Sequence, residues 1–451
     1  MKTAPKVLLC NAYRRFADDY LDYIGENVYG VPRISNPRRI GFGLRFLKQN
    51  VPEIEILEYP MWPEYVERLK EGWDVVGFSF FQNEIAEVER MADEARRHGV
   101  REIWAGGHGA LDGHVAEFCD RVFSGAAEDQ VAQAFGYRVR DEEVEHPSLM
   151  MPFRFKPGSI PYLMMGLLYT ERGCPFRCTF CQTPAYEDRR FTVNFESVER
   201  VVKHYRKVGI KDVFVMDELF GTFPAYADKL SELFARYGLR WWSQSRAGIY
   251  LRNLETWYER GLRFPVIGLE TMKQGALDSI DKKQKVEEIM EFSRKTREKG
   301  DMYRMVYYMI GYEGMTAEQT LEDAALVKKA GFDAHQVNVL TPFPKTPLWD
   351  DIRMRYGITD TNYRHYSAKH LVWNHPHISA AQMRYLLNAI IAYLNRPRDI
   401  YFKGFARLIR ERFARHGLGF IWDDILKSPV VAAVVDDRKQ VFFPKMKHDK
   451  V

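Results

Sequence analysis

The sequence predicts an α/β protein: a Rossmann-like amino-terminal domain, then a (β/α)6 partial TIM barrel, then a mostly helical carboxyl-terminal region. Three observations predict it. Short apolar runs alternate with amphipathic stretches up to about residue 135, a second series of six such runs occupies about 161 to 355, and helical periodicity takes over beyond 360. The 451 residues suffice for two or three domains with cores of their own. The expected division is 1–135, a linker at 136–160, 161–355 and 356–451.

In the first series "KVLLCN" (6–11), "IEILEY" (54–59), "DVVGFSFF" (74–81) and "EIWAGGHG" (102–109) read as strands. The stretch "NEIAEVERMADEARRHG" between the last two reads as an amphipathic helix. Such alternation gives a parallel sheet covered on both faces, with its ligand at the carboxyl ends of the strands. Those ends carry Asn11, "SFFQNE", "GGHG" and "FSGAAED" (123–129). Small residues there let a flat or bulky ligand approach the backbone, although the same residues also serve as ordinary turns. Residues 136–165 have weak periodicity and four prolines, Pro147, Pro152, Pro157 and Pro161, as a linker would.

The second series runs through "LMMGLLYTERG", "DVFVMDELF" (212–220), "RWWSQSRA" (240–247), "FPVIGLETM" (264–272), "YRMVYYMIGYEG" (303–314) and "AHQVNVLTPFPKTP" (334–347), with helical stretches between them. Six strands with intervening helices form a barrel or part of one, and its site lies at the carboxyl ends of the strands. The helical region that follows includes "AAQMRYLLNAIIAYL" and "KGFARLIRERFARHG".

Composition narrows the function classes. Net charge is +5 from 66 basic and 61 acidic residues, too weak and too mixed to point to nucleic acid. No stretch approaches the roughly 20 apolar residues of a membrane span, and "MKTAPKVLLCNAY" lacks the features of a secretory signal. A cytoplasmic protein is expected. Five cysteines, three of them clustered, make no disulfide framework and in a reducing compartment read as metal-binding or redox-active.

That cluster is "ERGCPFRCTFCQTP" (171–184), with Cys174, Cys178 and Cys181 inside eight positions. A structural zinc site takes four protein ligands, and Cys10 and Cys119 belong to the other domain. A four-iron cluster held by three thiolates fits better, because it leaves one iron open to a small molecule. Phe176 and Phe180 would shield it from water.

The spacing C-x3-C-x2-C in "CPFRCTFC" resembles the radical S-adenosylmethionine superfamily. The resemblance implies a 4Fe-4S cluster whose open iron is chelated by the amino and carboxylate groups of S-adenosylmethionine, then a one-electron cleavage that gives a 5'-deoxyadenosyl radical. It also implies contacts from the other strands: Asp217 and Glu218 to the methionine ammonium, Ser245, Arg246 and Glu270 to the ribose and methionine carboxylate, and Gly311 in "MIGYEG" to adenine. "LTPFPKTPLWD" resembles the closing segment of the family, with Lys345 in place of the usual glycine.

Residues 1 to about 135 resemble the cobalamin-binding domain of the B12-dependent branch, through "GFSFF", "AGGHGAL" and "VFSGAAED". Asn11, Ser79, Phe80, Gly106, Gly107, Gly125 and Glu128 stand in those strand-end segments, and Tyr13, Gln82, Asn83 and His108 are candidates to line the corrin. No D-x-H-x-x-G supplies a histidine to cobalt, and His108 reads more readily as a turn histidine. The combination implies C-methylation of an unactivated sp3 carbon, with methylcobalamin as methyl donor and flavodoxin or ferredoxin as external reductant. Cyclisation, rearrangement or carbon-carbon coupling on a lipid or natural product is the alternative within the class, and a non-catalytic iron-sulfur or corrinoid carrier the alternative outside it. Methylthiolation is disfavoured, because Cys10 and Cys119 cannot hold a second cluster. The substrate is expected to be a small molecule or a protein residue such as a glutamine of methyl-coenzyme M reductase. The segment "YRHYSAKHLVWNHPHIS" (363–379), with Tyr366, His370, Trp373, His375 and His377, is expected over the barrel mouth, its histidines as loop or core residues rather than metal ligands.

Overall fold

The computed structural model describes residues 4–14, 35–37, 39–155, 160–420, 427–434 and 441–446. Pro157 and the first three residues of the amino-terminal stretch lie outside them.

Fifteen strands are seen in the described residues. They are β1 (Val7–Asn11), β2 (Ser35–Pro37), β3 (Glu55–Leu57), β4 (Val75–Ser79), β5 (Glu102–Gly106), β6 (Arg121–Val122), β7 (Met150–Phe155), β8 (Ile160–Leu168), β9 (Glu171–Arg172), β10 (Phe191–Thr192), β11 (Asp212–Val215), β12 (Arg240–Ser245), β13 (Leu262–Glu270), β14 (Met305–Ile310) and β15 (Ala334–Val339). The first sheet has the order β3-β1-β4-β5-β6 and is parallel throughout. Every residue of β1 is buried, as a strand covered on both faces must be. Alternation sends Leu8, Cys10, Val76 and Phe78 into one core, with the helix Ile85–Arg97. It sends Leu9, Val75 and Trp104 into the other, which is continuous with the core of the barrel.

The second sheet has the order β15-β14-β13-β12-β11-β8-β7-β2. All six expected barrel strands are present, parallel and in sequence order. Residues 136–160, expected as a linker, contain β7, which pairs antiparallel with β8. Pro152 obscured this strand, since a proline cannot donate to a ladder. β2 pairs on the other edge of β7, so a segment from within the first 135 residues completes the barrel sheet.

The carboxyl-terminal helices do not form a separate core. The helix Ala380–Leu394 opens on a capping box in which Ser379 accepts from Gln382 N. It buries Met383, Leu386, Leu387, Ile390, Ile391 and Leu394 in the barrel core. Past its end, Asn395 Nδ2 donates to His335 O on β15 at 2.7 Å. Residues 441–446 return to the junction of the two units: Phe443 N donates to Gln49 Oε1 at 3.0 Å and Met446 N to Glu145 Oε1 at 2.6 Å. No described helix is long and apolar enough to cross a membrane.

The barrel strands present two faces. Along β12, Trp241, Ser243 and Ser245 face the helices and are buried, whereas Arg240, Trp242 and Gln244 face the lumen and are half-exposed. The same alternation on β15 puts Gln336 and Asn338 inside.

Candidate active site

The cysteine loop lies at the carboxyl end of β8 and is braced by its neighbours. Thr179 N donates to Ile280 O, and Leu348 N to Thr179 O, both at 3.0 Å. Gln182 Nε2 reaches Pro344 O at 3.2 Å. Gly173 has φ 73°, and a Cβ there would strike the carbonyl of Arg189, so this turn requires glycine. Cys178 is buried, and Cys174 and Cys181 are partly so. Burial raises the thiol pKa of Cys174 and of Cys178; Lys282 and Arg246 oppose the rise at Cys178. Among the described residues no three His, Cys, Asp or Glu side chains close on a single-ion position. A multi-iron cluster distributes its thiolates over separate irons, and three thiols on one rigid loop are the donor set it needs.

Arg246 is bound to this loop. Its Nη2 donates to Cys178 Sγ at 3.2 Å, and its guanidinium carbon lies 3.4 Å from the Phe176 ring centre. Nη1 donates to the carbonyls of Lys282 and Lys283. Glu270, with φ 63° at a register shift in β13, pairs with Lys282 Nζ at 2.6 Å, both side chains nearly buried. Phe180 packs with Ile280, Met309, Tyr312 and Leu340, a small cluster at the mouth.

Several expected contacts go elsewhere. Asp217 is 0% exposed, and its two oxygens accept from Thr170 N at 2.5 Å and Thr170 Oγ1 at 2.6 Å. Burial, with the charge of Glu171 nearby, raises its pKa far above the usual carboxylate range. It is a bracket between strands rather than a free ligand for an ammonium. Its neighbour Glu218 differs, for Oε2 is buried with no protein partner; burial raises its pKa while Arg172 pulls it down. Ser245 donates to Phe220 O at 2.7 Å on the helix side of β12, so alternation denies it the ribose contact and turns Gln244 inward instead. At Gly311 (φ 89°) a Cβ would press on Met383, which ties this turn to the carboxyl-terminal helix.

In the first unit a cleft runs over the strand ends and is lined by Ser79, Gly106, Gly107, Gly125 and Glu128, with Gly77, Arg172 and Tyr186 beside them. A Cβ at Gly106 would have no neighbour closer than 3.9 Å, so the backbone there is open to a ligand. Gly107 (φ 85°) and Gly125 (φ 71°) are glycines for another reason: added Cβ atoms would meet the Phe80 backbone and the Glu187 carboxylate. The other candidates lie off the cleft. Asn11 Nδ2 is bonded to Ser79 O at 2.9 Å, and Phe80 is core. Tyr13 packs edge-on against Trp62, ring centres 5.1 Å apart. Gln82 Nε2 is held by Asp112 Oδ2 at 2.5 Å, and Asn83 is half-buried in the turn beside it. His108 lies between Phe81 and Tyr186, ring centres 6.0 and 4.2 Å away. Burial lowers its pKa to about 4, which makes it a neutral packing residue at the seam. Arg172 and Tyr186 were not singled out from the sequence; their signal was only their nearness to the cysteines.

The aromatic and histidine segment is structural in its contacts. Trp373 Nε1 donates to Leu340 O at 3.2 Å, and His375 bonds Tyr312 O at 3.0 Å through Nε2. His375 Nδ1 accepts from His377 N at 3.1 Å. Tyr366 OH donates to Asp360 O at 3.1 Å, and His370 stacks on His365 at 4.4 Å. The preceding residues reach the first unit: Arg364 Nη2 bonds Glu87 Oε1 at 2.9 Å, and Tyr363 stacks on His114.

Residues 168–327 match the Radical SAM superfamily, the stretch that begins at the end of β8 and contains all three cysteines. That stretch is a radical S-adenosylmethionine domain. More particularly, over 78% of both chains the protein shares the fold of the radical S-adenosylmethionine methyltransferase TsrM from Kitasatospora setae, solved with cobalamin and a 4Fe-4S cluster bound, with TM-score 0.59 and 16% identity. An uncharacterized methyltransferase of Pyrococcus horikoshii is 27% identical over 291 residues, 61% of this chain but only 59% of that protein's length. Bacteriochlorophyllide d C-12(1)-methyltransferase of Chlorobaculum tepidum is 22% identical over 378 residues, 78% of this chain and 79% of that one.

Proposed function

We propose that the protein is a cobalamin-dependent C-methyltransferase acting on an unactivated sp3 carbon in the cytoplasm, with residues 1–135 as the corrin-binding unit and 161–355 as the radical unit. The observation that carries the proposal is the placement of Cys174, Cys178 and Cys181 on one braced loop whose Tyr186 packs on His108 at the strand ends of the first unit. Of six similar proteins, five are named as methyltransferases or methylases and one as a cyclase, which favours methyl transfer. When bound, the cluster with S-adenosylmethionine supplies a 5'-deoxyadenosyl radical and cobalamin supplies the methyl group, the electron coming from flavodoxin or ferredoxin.

The chain's own part is to hold and exclude. The three thiolates carry the cluster, and Arg246 donates to the most buried of them. Glu218, with an acceptor oxygen already desolvated and unpaired, suits the methionine ammonium. Glu270, held by Lys282, offers a second carboxylate at that mouth. Phe176, Phe180 and the lumen aromatics Trp242 and Phe264 keep water from a radical that would otherwise be quenched. The open backbone at Gly106 and the side chain of Ser79 border the corrin. The methyl acceptor is a small molecule or a side chain on a protein loop, a glutamine of methyl-coenzyme M reductase being one such residue.

Anaerobic reconstitution with iron, sulfide and methylcobalamin should yield 5'-deoxyadenosine and S-adenosylhomocysteine together in the presence of a competent acceptor. Deoxyadenosine without the homocysteine product would point to cyclisation or rearrangement. Cys178→Ala should abolish deoxyadenosine, and its persistence would remove the cluster from the reading.

A further inference from the structure

We propose that Lys369 anchors a compact oxyanion, a carboxylate or phosphoryl group, on an otherwise apolar substrate that enters the barrel lumen. This rests on the radical reading above and narrows its acceptor to an amphipathic acid.

Lys369 is 8% exposed. Its Nζ donates to Val337 O and, at 2.9 Å, to Asn338 Oδ1. Both acceptors are neutral, and among the described residues no carboxylate pairs with it; burial alone lowers its pKa, to about 8. An ammonium kept in neutral company is unfavourable unless an anion completes the site.

Its position indicates where that anion comes from. His335 bonds to Asn395 on the helix side of β15, so alternation places Asn338, the partner of Lys369, on the lumen side. The polar stripe continues across the sheet on β14 and β12, where Tyr307 OH donates to Gln244 Oε1 at 2.9 Å. The surroundings are apolar: Trp242 stacks on Phe264 at 4.1 Å, with Met305 and Val266 below. A polar band ending in a buried cation that no described carboxylate pairs with, beside aromatic and aliphatic side chains, is complementary to a molecule with one charged end. The backbone supplies an independent sign. Ala368 has φ 58°, and its carbonyl accepts from Val339 N at 2.8 Å; such local strain collects where a neighbouring side chain must be held in place.

The test uses the anaerobically reconstituted full chain. Lysines are acetylated with N-hydroxysuccinimidyl acetate at about pH 8, where the Lys369 amine begins to lose its proton, and modification is mapped by mass spectrometry. Hexanoate or methylphosphonate should lower labelling of Lys369 by roughly fivefold or more, while the neutral hexanamide leaves it unchanged. Protection by hexanoate alone identifies a carboxylate, and by methylphosphonate alone a phosphoryl group. In parallel, the protecting anion should raise the Tm of the wild type and of Lys369→Arg but not of Lys369→Met. Should Lys369→Met fail to fold, the labelling of the wild type decides. Equal protection by hexanamide, no protection by either anion, or an unchanged Tm response in a folded Lys369→Met protein would overturn the anchor. Failure of the radical reading would show separately, as absence of 5'-deoxyadenosine from the same preparation whatever the anions do.

Discussion

Arg246 shows how far residue types alone could lead. Its place after a strand marked it as a site residue, but its bond to Cys178 Sγ and its stack on Phe176 follow from the turn of the cysteine loop, which no local pattern encodes. A donor on a thiolate stabilises the more electron-rich, reduced state of a cluster. Arg246→Gln should therefore shift the reduction potential of the reconstituted cluster to more negative values, measured by redox titration with EPR; an unchanged potential would confine Arg246 to bracing the loop. Ser245 was misplaced for a reason visible in the sequence: strict alternation along "RWWSQS" puts Gln244, not Ser245, on the side of the site. Lys345 carries a different lesson. Its φ of 66° lies in the region that costs a non-glycine residue about 1–2 kcal/mol and that glycine adopts freely. Lys345→Gly should gain a net ~0.5 kcal/mol after the entropic cost of glycine, seen as a higher urea midpoint.

Among the elements, those built from contiguous alternation were legible, including all six parallel barrel strands. β7 and β2 were not, because an antiparallel strand with a proline in it and a three-residue strand have meaning only through a partner distant in sequence. The carboxyl-terminal helices were visible as helices; that the apolar face of Ala380–Leu394 closes the barrel core depends on the chain's path. The join of β7 to β8 rests on Tyr205, whose hydroxyl lies 2.8 Å from Leu149 O and 2.9 Å from Leu167 O and accepts from Leu149 N at 3.0 Å. Gly166 leaves room for its ring. Tyr205→Phe strands these buried groups and should cost about 1–3 kcal/mol. Hydrogen exchange should quicken in β7 before the rest of the barrel, and equal loss of protection throughout would count against a local brace.

For the whole molecule, the buried His146 and His335 and the half-buried His108 bear on stability toward acid. Burial depresses the folded pKa of His108 and of His335 to about 4 and that of His146 to about 3, against about 6.5 for a free histidine. His146 is the best defined: its Nε2 accepts from Tyr169 N at 2.9 Å and its Nδ1 lies 2.5 Å from Pro147 O, the pattern of a neutral ring. Below about 6.5 the unfolded chain binds protons that the folded one refuses. Stability is therefore whole above that pH and falls as the pH drops toward 4, by on the order of 1 kcal/mol per unit for each histidine. Denaturant midpoints between pH 7 and 5 should decline accordingly, and His146→Asn should flatten the slope. The seam between the units depends on chain segments far apart in the sequence, which is why it could not be read beforehand. It also has a consequence for biogenesis. Gln49 and Glu145 wait for residues 441–446, so this latch stays open on a nascent chain until that segment has emerged. Ribosome-stalled chains that end before that segment should then be more protease-sensitive than stalled chains in which it has emerged.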